Sequence, residues 1–110
     1  MPKWTRDQDV VAFYLQKYDP KCRRSRSTRL GPTTDEVAAR IHKTTDAVLM
    51  RIQNFVAVEA AGGRWLSKAE RGGLPGLANY ARQSAEVYCE FNCISEGALK
   101  ARAIKVISGA

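Results

Sequence analysis

The sequence predicts a small all-α protein, a bundle of about five helices containing a helix-turn-helix. Three observations carry that expectation. Apolar residues recur at helical spacing in successive stretches; several stretches open on a Ser or Thr, twice with a Gln or Glu three residues on; and glycines and prolines gather between stretches. With 110 residues, 45% apolar and 26% charged, the chain supports one core, and its composition excludes disorder of the whole.

The first helix starts after Trp4 with Thr5 as cap and Gln8 as its capping-box partner. Val10, Val11, Phe13, Tyr14 and Tyr18 give it a broad apolar face, which helical spacing assigns to packing and not to ligand contact. Asp19-Pro20 ends it, because the residue before a proline is pushed out of the helical region. The following KCRRSRSTRLGP holds five cations and no acid. A solvated loop is the plain reading. Because like charges repel without a partner, a flexible basic arm over residues 21–30 is favoured, with Arg23, Arg24, Arg26 and Arg29 on phosphates or in a minor groove.

Residues 33–55, TTDEVAARIHKTTDAVLMRIQNF, read as two short helices and a tight turn. Thr33 and Glu36 form a capping box, and Val37, Ala38 and Ile41 make one buried stripe. His42, Lys43 and Thr44 are the turn. Thr44 or Thr45 caps the second helix, with Asp46 in its first turn. Val48, Ile52 and Phe55 form its stripe, flanked by Leu49 and Val56, which leaves Thr45, Ala47, Met50, Arg51 and Asn54 on or near the outer face. A helical hairpin without nucleic acid has the same periodicity.

Next comes EAAGGRWLSKAERGGLPG, with five glycines and a proline. It reads as a long loop containing a short hairpin or one helical turn, with Arg64, Lys68 and Arg71 as a second basic edge and Trp65 and Leu66 pinning it to the core. Leu77, Tyr80 and Ala81 begin another helical turn, and Ser84 is placed as the cap of AEVYCEF. After Asn92, Ser95 starts a terminal amphipathic helix in which Leu99, Ala103 and Ile107 align against Lys100, Arg102 and Lys105. The chain thus divides into a helical domain over residues 1–94 and a C-terminal helix over 95–110, packed on the domain or mediating association.

The net charge of +7 and a pI near 9.7 point to polyanionic partners. Residues 1–32 carry eight cations against three acids. The three cysteines are an odd number without close pairs, which argues against a disulfide framework, and Cys89 and Cys93 read as small buried hydrophobes. A zinc site with Cys22 and the lone His42 would need coincidence. No phosphate loop after a strand, HExxH motif or nucleophile with a base is present, so neither catalysis nor a cofactor is expected. No apolar run has signal-peptide or membrane-spanning character, and the expected location is cytoplasmic, with the nucleoid.

WTRDQDVVAFYL, then EVAARIHKTTDAVLMRIQNF, then Gly73-Leu74 and AEVYCEF resemble the helical N-terminal domain found upstream of HNH nuclease domains in bacterial and phage proteins. The likeness covers residues 4–91, and its fixed points are Trp4-Thr5, Thr44 through Phe55 and Tyr88 through Phe91, with Asn54-Phe55 after Arg51 the most specific. It implies DNA binding, or targeting of a nuclease to DNA. The chain has no HNH module, so cleavage does not follow. The combined expectation is a non-catalytic binder of double-stranded DNA. Thr45, Ala47, Met50, Arg51 and Asn54 are candidate base contacts, and His42, Lys43 and Thr44 candidate phosphate contacts, with Arg64 and Lys68 adding a basic edge. Arg51 and Asn54 carry an alternative, tying the helix to a neighbour. For the whole chain the alternative is a protein-interaction module or homo-oligomerising adaptor. A homodimer and a nuclease or other protein partner belong to either reading.

Overall fold

The computed structural model describes residues 4–19, 26–63 and 82–109, all helix and turn apart from one isolated antiparallel bridge between Ser27 and Thr33. Five helices form a small bundle: α1 Arg6–Tyr18, α2 Thr34–Arg40, α3 Thr45–Ala60, α4 Arg82–Phe91 and α5 Glu96–Ile107. The hairpin or turn expected after α3, and the helical turn expected at Leu77, lie outside the described residues.

Both capping boxes form. Thr5 Oγ1 accepts from the Gln8 amide while Gln8 Oε1 accepts from the Thr5 amide, and Thr33 and Glu36 repeat the arrangement. Thr44, not Thr45, caps α3, and Ser95 caps α5. Ser84 is no cap: α4 already begins at Arg82, and Ser84 lies buried within it.

The bundle is organised around α1. Every residue from Asp9 through Gln16 is buried, because α5, α3 and α4 all pack on this helix. One apolar face would not produce that; the continuous run Val10–Leu15 does, since a helix apolar all round is stable only when surrounded. Phe13 stacks tilted on Phe55 at 5.4 Å and edge-on to Tyr88 at 5.7 Å, joining α1, α3 and α4. The C-terminal helix α5 lays Leu99, Ala103 and Ile107 into the same core, so it is an integral wall of the bundle.

Candidate nucleic-acid interface

The α2–α3 turn is a tightly specified piece of backbone. The Lys43 amide donates to the Ala38 carbonyl at 2.9 Å and the His42 amide to the Ala39 carbonyl at 3.1 Å, the paired bonds of a Schellman cap. His42 occupies the left-handed position of that cap at φ +60°. Glycine is the usual occupant because a side chain there costs about 1–2 kcal/mol; α3 ends on the same motif with Gly62 at φ +68°. The His42 imidazole is held at the surface by a conformation that works against it. Gln8 fixes the turn to α1 through a 2.6 Å bond from Nε2 to the Ile41 carbonyl.

Two residues expected on the outer face of α3 point inward. Arg51 places Nε 2.6 Å from Asp9 Oδ1 and Nη2 2.8 Å from Oδ2, with the carboxylate fully buried and the Arg51 side chain 11% exposed. Gln83 donates to the same carboxylate at 2.6 Å and to the Trp4 carbonyl at 2.9 Å, while the Trp4 ring lies 5.0 Å from the Arg51 guanidinium. Arg51 is thereby committed to a buried network and withdrawn from base contact. Asn54 is 1% exposed and donates to Ser84 Oγ at 3.0 Å, which withdraws it too. The physical reason is angular: both residues border the Val48–Ile52–Phe55 stripe, and α4 covers that border.

What remains outward on α3 is differently composed. Met50 is 57% and Val56 43% exposed, with exposed Gln53 between them and half-buried Leu49 beside them. Val56, expected to flank the core, belongs to this outer strip. Ala47 is half-buried, and Thr45 is held by its hydroxyl donating to Asp35 at 2.5 Å. Thr44 is exposed but engaged in capping. Lys43 is half-buried with its ammonium 5.2 Å from the Trp4 ring centroid.

The basic arm divides. Arg23 and Arg24 lie outside the described residues, as do Arg64 and Lys68. From Arg26 onward the chain is built rather than loose: Thr28 and Pro32 close a turn by bonds from the Thr28 amide and hydroxyl, and Leu30 is buried as its anchor. Arg26 is exposed, whereas Arg29 is tied to Glu96 of α5 at 2.6 Å. The Arg29 amide also donates to Asp19. Sequence reasoning overlooked Arg40, exposed at the end of α2; its place in the last turn before the break was the available signal.

Elsewhere Cys89, near the end of α4, and Cys93, in the turn that follows it, are exposed, not buried. Tyr88 beside them has its hydroxyl pushed above the ordinary phenol range, by burial first and then by Glu59 and the two thiols. Among the described residues no three His, Cys, Asp or Glu side chains gather in a metal-binding group, and no helix is long and apolar enough to cross a membrane. Compared with known families, characterised proteins and solved structures, the chain has no significant match.

Proposed function

We propose that the protein binds double-stranded DNA without acting on it chemically. The distribution of charge carries this reading. Residues 1–32 hold eight cations and three acids, five of the chain's seven net positive charges. Residues 21–29 alone hold five cations and no acid ahead of α2 in sequence, and Arg64, Lys68 and Arg71 against Glu70 follow α3. A helix pair bracketed by basic stretches suits a duplex, whose phosphates flank the groove that a helix enters. Arg26, Arg40 and His42 add exposed basic groups on or beside α2. The strained left-handed His42 supports the same reading, because a position that favours glycine retains an imidazole at a cost in stability.

On this reading the basic segments supply most of the affinity and α3 a modest selectivity. Transcriptional regulation, DNA organisation, and delivery or blocking of a nuclease at the nucleoid are all compatible with such a protein. A salt titration of duplex binding is the test. Replacing Arg23, Arg24 and Arg26 with alanine flattens the slope of log affinity against log salt by about one unit per lost phosphate contact. Absence of duplex binding at low salt refutes the proposal.

The second reading, a protein-interaction module, draws on the exposed Met50, Val56 and Ile104. Sedimentation of the wild-type chain and a Met50→Ala variant tests it. Self-association that the substitution abolishes would favour a second copy of the chain on this face.

A further inference from the structure

We infer that the outer face of α3 reads adenine–thymine pairs in the major groove, through thymine 5-methyl groups and through Gln53. The inference rests on the duplex-binding reading above. It begins from what α3 lacks. Arg51 is the only cation between Thr45 and Ala60, and it is locked onto buried Asp9. Guanine is read chiefly by Arg or Lys donating to O6 and N7, and among the described residues α3 itself offers no such donor on this face. Asn54, which could have read adenine, is turned onto Ser84.

The strip left exposed matches the other base pair. Met50, Gln53 and Val56 lie at i, i+3 and i+6, and all three are exposed. At the helical rise this strip spans about 9 Å, close to three base-pair steps. The thymine methyl is the one apolar group on the floor of the major groove, and a glutamine carboxamide matches the N6 and N7 edge of adenine. An apolar–amide–apolar strip therefore complements a run of A·T pairs. The flanking cations supply the attraction that an apolar strip cannot.

The test compares three duplexes by fluorescence anisotropy: an A·T-rich duplex, the same duplex with every thymine replaced by deoxyuridine, and a G·C-rich duplex of equal length. Deoxyuridine keeps the base pairing and deletes only the methyl. The expected result is a loss of about fourfold in affinity for each methyl that α3 covers, the equilibrium value of burying one methyl-sized group. Met50→Ala should shrink the thymine–deoxyuridine difference while leaving the salt slope and the thermal midpoint nearly unchanged, because Met50 is 57% exposed. Gln53→Ala should reduce the preference for A·T over G·C at least fivefold. Equal affinity for the thymine and deoxyuridine duplexes, with binding itself intact, overturns the inference and leaves duplex binding standing. No binding to any duplex at low salt overturns both. Loss of self-association in Met50→Ala with unchanged duplex discrimination assigns the face to a protein contact and likewise overturns the inference.

Discussion

Replacing Arg51 with alanine separates a structural role from a recognition role at the residue that leads into the most specific piece of the sequence motif, Asn54-Phe55. Asp9 is completely buried and takes three hydrogen bonds, two from Arg51 at 2.6 and 2.8 Å and one from Gln83 at 2.6 Å. Removing the guanidinium leaves a buried carboxylate with the Gln83 amide as its single remaining side-chain donor among those three bonds. Breaking one side of a buried pair costs about 3–5 kcal/mol. In a domain of this size each kcal/mol lowers the thermal midpoint by about 4–8 °C, so Arg51→Ala should lose at least about 12 °C. Because such a loss approaches the whole stability of a small domain, urea denaturation at low temperature is the suitable assay. The double variant Asp9→Asn, Arg51→Met removes both charges and should recover at least half of the lost stability, since the orphaned ion is the larger part of the cost. A stability loss under about 1 kcal/mol for Arg51→Ala, together with weakened duplex binding, would refute this reasoning and return Arg51 to the recognition face.

His42→Gly should raise stability by about 1 kcal/mol in urea denaturation, because glycine adopts φ +60° without the penalty a side chain carries; a loss instead would mean the imidazole makes a stabilising contact. Tyr14→Phe should be neutral or gain up to about 1 kcal/mol, since the Tyr14 hydroxyl is fully buried without a hydrogen-bond partner among the described residues. Burial, and after it Glu96, pushes that phenol above its ordinary value, so the folded state keeps the proton that the unfolded chain gives up. Wild-type stability is then full below about pH 10 and falls as pH rises beyond it, while Tyr14→Phe lacks this contribution; its advantage should widen in alkaline buffer, and an advantage constant with pH would contradict the assignment.

Features set by short-range geometry were legible in the sequence. Both capping boxes, the Ser95 cap and the Leu99–Ala103–Ile107 stripe depend on residues three or four apart, and each appears where the pattern put it. The choice the pattern left open at Arg51 and Asn54 depends on partners distant in the chain. Arg51 turns inward because Asp9 lies 42 residues away, and Asn54 because Ser84 lies 30 residues away. Periodicity fixes the centre of a buried stripe, but the edges belong to whichever helix packs alongside. Val56 shows the converse: it sits on the edge that no described helix covers, and an apolar residue is left 43% exposed. The built turn after Arg26 was hidden for another reason, since Leu30 anchors it with one apolar residue among cations, too little signal for a periodicity argument.

The residues behind the likeness to nuclease-associated domains share one property here. Thr5 and Thr44 cap helices, Trp4 lies against Arg51, Asn54 bonds Ser84, Phe55 and Tyr88 pack on Phe13, and Phe91 is in the core. None of these presents a free group on the outer strip of α3, although the same Thr44–Phe55 stretch carries Met50 and Gln53 there, so these residues describe how this bundle is held together and leave open what it binds. On the proposed duplex-binding reading, stability and recognition fall to different residues of the same helix. Arg51, Asn54 and Phe55 face α1 and α4, while Met50, Gln53 and Val56 face away. Substitutions in the first set should move the unfolding midpoint strongly, and at a given folded fraction leave duplex preference alone. Substitutions in the second set should do the reverse. Among the described residues no side-chain hydrogen bond joins the two sets, so their effects are expected to add. A variant combining Met50→Ala with Asn54→Ala should therefore show the stability of the second and the duplex preference of the first, and coupling above about 0.5 kcal/mol between them would show that the two faces of α3 are not independent.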